Sequence, residues 1–195
     1  MKKVLGLLFV CFLFREVNAQ NKISDCIKNS LMHMDSHDNP FEIWKPCVLE
    51  KPMPEFVIPT ISGDTIDMQK LKGKVVVINF WFIGCHPCIA ELRGLNKLVN
   101  DYKGKDIVFL AITWETANRI NKVFFPDYKL DFLILPDAKK VIDKIEGSGY
   151  PTTYIIDQYG IIKEVWCGGS SDEKIAGTAF YEKAKPTIDK LLKAE

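Results

Sequence analysis

"KVVVINFWFIGCHPCIAEL", residues 74–92, joins two kinds of local signal. Lys74 to Trp81 is a β-branched, apolar run, too short for a helix and suited to a strand buried on both faces. Beyond it Ile89, Leu92, Leu95, Leu98, Val99 and Tyr102 recur at helical spacing, with Gly104 as a stop signal. Cys85 and Cys88 stand between strand and helix. Unpaired backbone N–H groups and the positive end of the helix dipole meet at that junction, so a thiolate at Cys85 forms at lower pH than in a free peptide. Cys88, one turn on, faces the same side and can resolve a mixed disulfide. Pro87 is tolerated in the first turn because its missing N–H would be unpaired anyway. His86, when protonated, adds positive charge beside the thiolate. A zinc site needs two more ligands at compatible spacing, and the globular part holds no second close-spaced pair. A static staple gains little from closing so short a loop.

The flanking sequence predicts an alternation of elements. Phe56-Val57-Ile58 and Thr65-Ile66 flank Ser62-Gly63-Asp64 as a small hairpin. "DIVFLAIT" (106–113) predicts a second buried strand, followed by a helix from Glu115 to Phe125 that Pro126 ends. "DFLIL" (131–135) predicts a short strand, and Asp137 to Glu146 a short helix closed by Gly147. "TTYIID" and "IIKEVW" flank Gln158-Tyr159-Gly160, a second hairpin. Ser170-Ser171-Asp172-Glu173 has capping-box spacing and opens a terminal helix that Gly177 and Pro186 should weaken or bend. Strands alternating with helices imply parallel pairing, and the late hairpin adds antiparallel strands. The predicted fold class is α/β, a mixed sheet with helices on both faces.

The 195-residue chain is 47% hydrophobic and 26% charged, the balance of a globular protein with a real core. A formal net charge of +1 and the absence of a clustered basic face argue against a nucleic-acid partner. Met1-Lys2-Lys3, the apolar run Val4–Phe14 and the small residues of Val17-Asn18-Ala19 read as an export signal over 1–19. The run is far short of the roughly 20 residues that span a bilayer, so no transmembrane segment is expected in the mature chain. Residues 20–54 read as an irregular, Pro-rich N-terminal extension and 55–195 as the main domain. Export to the periplasm or cell envelope allows disulfides to persist. Removing Cys11 with the signal leaves Cys26, Cys47, Cys85, Cys88 and Cys167.

Lys74–Trp81 followed by Gly84-Cys85-His86-Pro87-Cys88, with Gly149-Tyr150-Pro151-Thr152 ahead of a hairpin, resembles the thioredoxin superfamily. Within it, the chain from about Pro54 to Glu195 is similar to the exported TlpA/ResA-like thiol-disulfide oxidoreductases. The resemblance implies a thioredoxin-like fold with Cys85 as nucleophile and Cys88 as resolving cysteine. It makes Pro151 the cis-proline beside the pair, and opens the backbone of Tyr150 to a bound substrate strand next to His86. Glu91 matches an acidic residue that can assist proton transfer, although a first-turn carboxylate is also what a helix dipole favours. The implied partners are protein thiols and disulfides and an upstream electron-donor protein, with no cofactor. The implied role is a reductant of exported proteins, as in cytochrome c maturation. Asn79 stands where thioredoxin has a buried acid, and Gly84 replaces the usual tryptophan, which should open the site. The His-Pro pair does not fix the direction of electron flow. Two other readings stay open: a peroxiredoxin-like thiol peroxidase, and a non-catalytic thioredoxin-fold binding module.

Outside that pair, Cys26 and Cys47 can close a disulfide across the extension. The same cysteines with Met32, His33, Met34 and His37 make a competing set of soft metal ligands; no metal is assigned to the chain. Cys167 reads as a small buried hydrophobe. Trp44, Trp81, Trp114 and Trp166 read as core and site rim.

Overall fold

In the computed structural model, residues 23, 25–30, 32, 39–145 and 149–193 are described. The expected export signal at 1–19, Cys11, His33, Met34, His37 and the closing Gly147 lie outside them. Residues 20–54 were expected to be irregular; instead residues 25–30 are helical and Pro40–Val48 forms helix α1. Asn39 caps α1 by accepting the Phe41 N–H at 3.1 Å, and Pro40 suits its first position. Pro46 inside the helix removes one backbone bond and hides the pattern. Burial of Trp44 and Val48 compensates, because both are fully enclosed.

Val57–Pro59 (β1) and Thr65–Asp67 (β2) form the expected antiparallel hairpin, followed by a single 3-10 turn at Met68–Leu71. The main sheet is built from Val75–Phe80 (β3), Ile107–Ile112 (β4), Leu133–Leu135 (β5), Thr152–Ile156 (β6) and Ile162–Cys167 (β7). Their order is β5-β4-β3-β6-β7. β3 runs parallel to β4 and antiparallel to β6, and β4 runs parallel to β5. Every residue of β3 is buried, as its unbroken apolar run requires of a central strand.

Alternation along β3 divides the core between two layers. Val75 and Val77 join the cluster beneath His86–Asp101 (α2) and Glu173–Leu192 (α4), with Leu95, Leu98, Phe180 and Ile188. Val76, Ile78 and Phe80 join Trp44 and Val48 of α1 and Ile142 and Ile145 of Lys139–Ile145 (α3) on the other face. The chain thus has the thioredoxin-like α/β architecture expected of it, with helices on both faces of a mixed sheet and the added hairpin.

Two helical segments depart from expectation. A single α-turn at Ala117–Arg119 passes into a π-turn at Ile120–Phe124 in place of a regular helix from Glu115. The wider turn buries Ile120 and Phe124 while Val123 and Phe125 stay exposed. The terminal helix is capped by Asp172, which accepts the Lys174 N–H at 2.9 Å, rather than by Ser170. Gly177 has a packing role: a Cβ on Gly94 would overlap the Gly177 carbonyl where α2 and α4 cross. Glycine at both positions lets the two backbones touch.

Candidate active site

The sheet register brings the site together. Phe80 at the end of β3 pairs with Thr152 at the start of β6, so the Cys85 loop and the Pro151 loop emerge at one edge. Cys85 is the N-cap of α2 and its Sγ accepts the Cys88 N–H at 3.3 Å. Cys85 and Cys88 are joined as a disulfide with Cα atoms 5.2 Å apart. Cys85, the expected nucleophile, is only 5% accessible in this oxidised form, against 2% for Cys88. His86 lies exposed in the first turn.

The loop before Cys85 is fixed from beneath. The buried Glu115 carboxylate accepts the Ile83 N–H at 3.1 Å and pairs with Arg119 Nε at 3.1 Å. Gly84 has φ +92°, a left-handed conformation that disfavours tryptophan or any other residue with a Cβ. Among the described residues nothing lies within 4 Å of a Cβ at that position, so backbone rather than space selects glycine.

Opposite the pair, the Tyr150–Pro151 peptide is cis and the Pro151 carbonyl accepts the Gly168 N–H at 2.8 Å. The Tyr150 ring meets Phe82 and Trp114 edge-on at 5.4 and 4.9 Å, and Phe82 stacks on Trp114 at 4.9 Å. Trp114, Lys139, Ile142, Asp143 and Tyr150 line a cleft of about 510 Å³. Trp114 is the rim tryptophan; Trp44, Trp81 and Trp166 are buried.

Glu91, one turn beyond Cys88, is buried, and its Oε2 has no hydrogen-bond partner among the described residues. Burial pushes its carboxyl up to about 8, against the opposing pull of the Lys183 ammonium. A Cβ on Gly169 would overlap Glu91 Oε1 and lie 3.6 Å from Pro151 Cγ, so the glycine leaves room for the acid beside the proline. Asn79, where thioredoxin has its acid, is buried and donates to Thr153 Oγ1 at 2.9 Å.

Cys26 and Cys47 are joined as a second disulfide with Cα atoms 5.6 Å apart, which consumes both thiols of the soft-ligand set. Among the described residues, no three His, Cys, Asp or Glu side chains are grouped to hold a metal ion. Cys167, expected to be buried, is half-exposed because it ends the edge strand β7. It sits beside Gly149, whose Cβ position lies 3.6 Å from its Sγ. Sequence reading missed Glu115, Gly169 and the part Phe82 plays beside Trp114 and Tyr150. Only the Gly168-Gly169 doublet carried a signal, since adjacent glycines after a strand mark a close backbone approach.

Comparison with known proteins agrees with this geometry. The AhpC/TSA family matches residues 49–165. The thioredoxin-like protein YneN of Bacillus subtilis is 36% identical over 118 residues, covering 59% of this chain and 69% of that one. The thiol-disulfide oxidoreductase ResA of Bacillus anthracis is 32% identical over 137 residues, covering 70% and 78%. In fold, the thioredoxin domain of a thiol-disulfide oxidoreductase from Bacteroides vulgatus superposes with a TM-score of 0.59 at 21% identity, over 72% of this chain and 97% of that one. A thioredoxin-family thiol:disulfide interchange protein from Chlorobium tepidum gives 0.58 at 21% identity, over 72% and 95%. With Cys85 and Cys88 closed as a redox pair at the mouth of this fold, the chain belongs to the thioredoxin-like AhpC/TSA family and is a thiol-disulfide oxidoreductase related to ResA.

Proposed function

We propose that the protein is an exported reductant of protein disulfides, of the kind cytochrome c maturation requires, with residues 1–19 as export signal and 55–195 as the catalytic domain. In the reduced enzyme, the Cys85 thiolate attacks one sulfur of the substrate disulfide and expels the other as a thiolate. Cys88 then loses its proton, attacks Cys85 Sγ and releases the second substrate thiol. Two electrons have passed to the substrate, and an upstream donor protein restores the dithiol. The Cys88 N–H and the start of α2 hold the charge on Cys85. The Tyr150 backbone before Pro151 pairs with the substrate strand beside His86, and the cleft behind Tyr150 takes a substrate side chain.

The observation that carries the direction is Glu91. A carboxyl raised to about 8 is matched to an ordinary thiol, so a proton passes between it and Cys88 at little free-energy cost. Once ionised, it opposes a second thiolate at Cys88. Strong oxidants owe their potential to a stabilised reduced form, and this arrangement works against that stabilisation. The test is the equilibrium potential of the Cys85–Cys88 pair against glutathione. A value nearer about −270 mV than about −120 mV is expected, and one near −120 mV rules out the reductant role.

A further inference from the structure

Cys85 reaches its place at the start of α2 through a four-residue turn. Its N–H donates to the Phe82 carbonyl at 3.2 Å, and Gly84, third in the turn, has the positive φ that a type II turn needs there. That closing bond leaves the Ile83 N–H outside the turn, in need of another acceptor. Glu115 Oε1 accepts it at 3.1 Å. The carboxylate is itself held from several sides. Its other oxygen, Oε2, pairs with Arg119 Nε at 3.1 Å, and the glutamate side chain is only 6% accessible. The Glu115 N–H donates to Thr113 Oγ1 at 3.2 Å, and its carbonyl accepts the Asp137 N–H at 2.9 Å. Thr116 Oγ1 accepts the Arg119 N–H at 3.2 Å and so starts the single α-turn that brings the arginine back to Glu115. Beside this bond Trp114 stacks on Phe82. Trp114-Glu115 thus grips Phe82-Ile83 twice, ring on ring and carboxylate on N–H. A turn needs no ion pair to close, and enclosing a carboxylate costs free energy unless its oxygens are occupied. Here both are, and one of them holds the loop that carries Cys85.

We propose that Glu115 is a positioning residue for Cys85, its bond to Ile83 holding the turn so that Cys85 Sγ stays within reach of the Cys88 N–H. That N–H lies 3.3 Å from the sulfur, and a donor stabilises a thiolate only while the sulfur stays close and aligned. When the Ile83 N–H loses its acceptor, the turn loosens, Cys85 leaves the N-cap geometry, and its thiol holds its proton more tightly. Arg119 acts one step further out, by fixing the carboxylate. The proposal rests on Cys85 being the nucleophile and is independent of the direction of electron flow.

The experiment measures the rate of iodoacetamide alkylation at Cys85 against pH in the reduced full-length chain. The modified residue is identified by peptide mass and the fold is followed by circular dichroism. The other titratable and charged groups around the pair stay as they are in every variant. They are Cys88, His86 in the first turn of α2, Glu91 in the second with Lys183 of α4 acting on it, Arg119, and Tyr150 across the mouth. In Glu115→Ala the pH midpoint at Cys85 rises by about one unit. In Glu115→Gln, whose amide oxygen still accepts the Ile83 N–H, it stays within about 0.3 units of the parent. In the unaltered chain the Ile83 amide, followed by NMR hydrogen exchange, is protected in both the oxidised and the reduced forms. An Ile83 amide that exchanges at the rate of a free peptide in the folded chain overturns the proposal without recourse to any variant. So does a folded Glu115→Ala chain whose midpoint is unmoved, the result for a support of stability alone. A midpoint lowered in both variants overturns it too, since the carboxylate would then act on Cys85 by its charge. Alkylation of the unaltered chain at Cys88 ahead of Cys85 removes the nucleophile assignment and this proposal with it; the other adverse results leave that assignment standing.

Discussion

Glu91 is the residue whose environment differs most from what its sequence position suggested. A first-turn carboxylate would ordinarily be a solvated group favoured by the dipole; Glu91 instead stands in the second turn of α2, enclosed behind Pro151 and Gly169, with one oxygen unpartnered among the described residues. Its native pKa of about 8 lies above the 4.5 of the free side chain. Between those two values the unfolded chain ionises while the native chain keeps the proton. Stability therefore falls as pH rises through that window, and levels off above about 8. Glu91→Gln removes this dependence. Urea unfolding from pH 4.5 to 8 should show the unaltered protein losing on the order of a few kcal/mol relative to the variant. Parallel curves would mean that the acid is not held neutral. The sequence could nominate Glu91 only through resemblance, because burial comes from α4 and the Gly168-Gly169 turn, both far along the chain.

At the scale of elements, the strands were legible and several helix details were not. Buried β-branched runs such as Val75–Phe80 carry their own signal, and register follows from burial on two faces. Helix α1 escaped because Pro46 interrupts it and its stability rests on Trp44 and Val48 reaching a sheet formed much later. Gly177 was read as a weakness of the terminal helix, but periodicity does not report which backbone crosses it. The crossing makes a sharp prediction. Gly94→Ala forces a methyl group into the Gly177 carbonyl and should destabilise the protein by about 1–3 kcal/mol, despite alanine's better helix propensity. Gly177→Ala meets the Gly94 nitrogen at 3.0 Å and Arg93 Cβ at 3.2 Å, a milder conflict, and should cost less. Thermal unfolding of the two variants checks the order; equal or reversed midpoints contradict this packing.

Across the whole molecule, the fold converts one parallel–antiparallel junction into a reaction site. β3 delivers the Cys85 loop and β6 begins directly after Pro151, so the strand pairing that holds the core also sets the two loops face to face. That much was readable from two short motifs some sixty residues apart, since both sit at strand ends. The supports were not: Glu115 beneath Ile83 and Gly169 beside Glu91 join segments with no mutual sequence signal. The central claim is that Cys85 attacks and Cys88 resolves. The reduced Cys88→Ala and Cys85→Ala variants, each offered an oxidised disulfide peptide, test it by intact mass. Cys88→Ala should accumulate a one-to-one mixed disulfide through Cys85, and Cys85→Ala should accumulate none. A stable adduct on Cys88 in the second variant, or none on Cys85 in the first, would contradict the account.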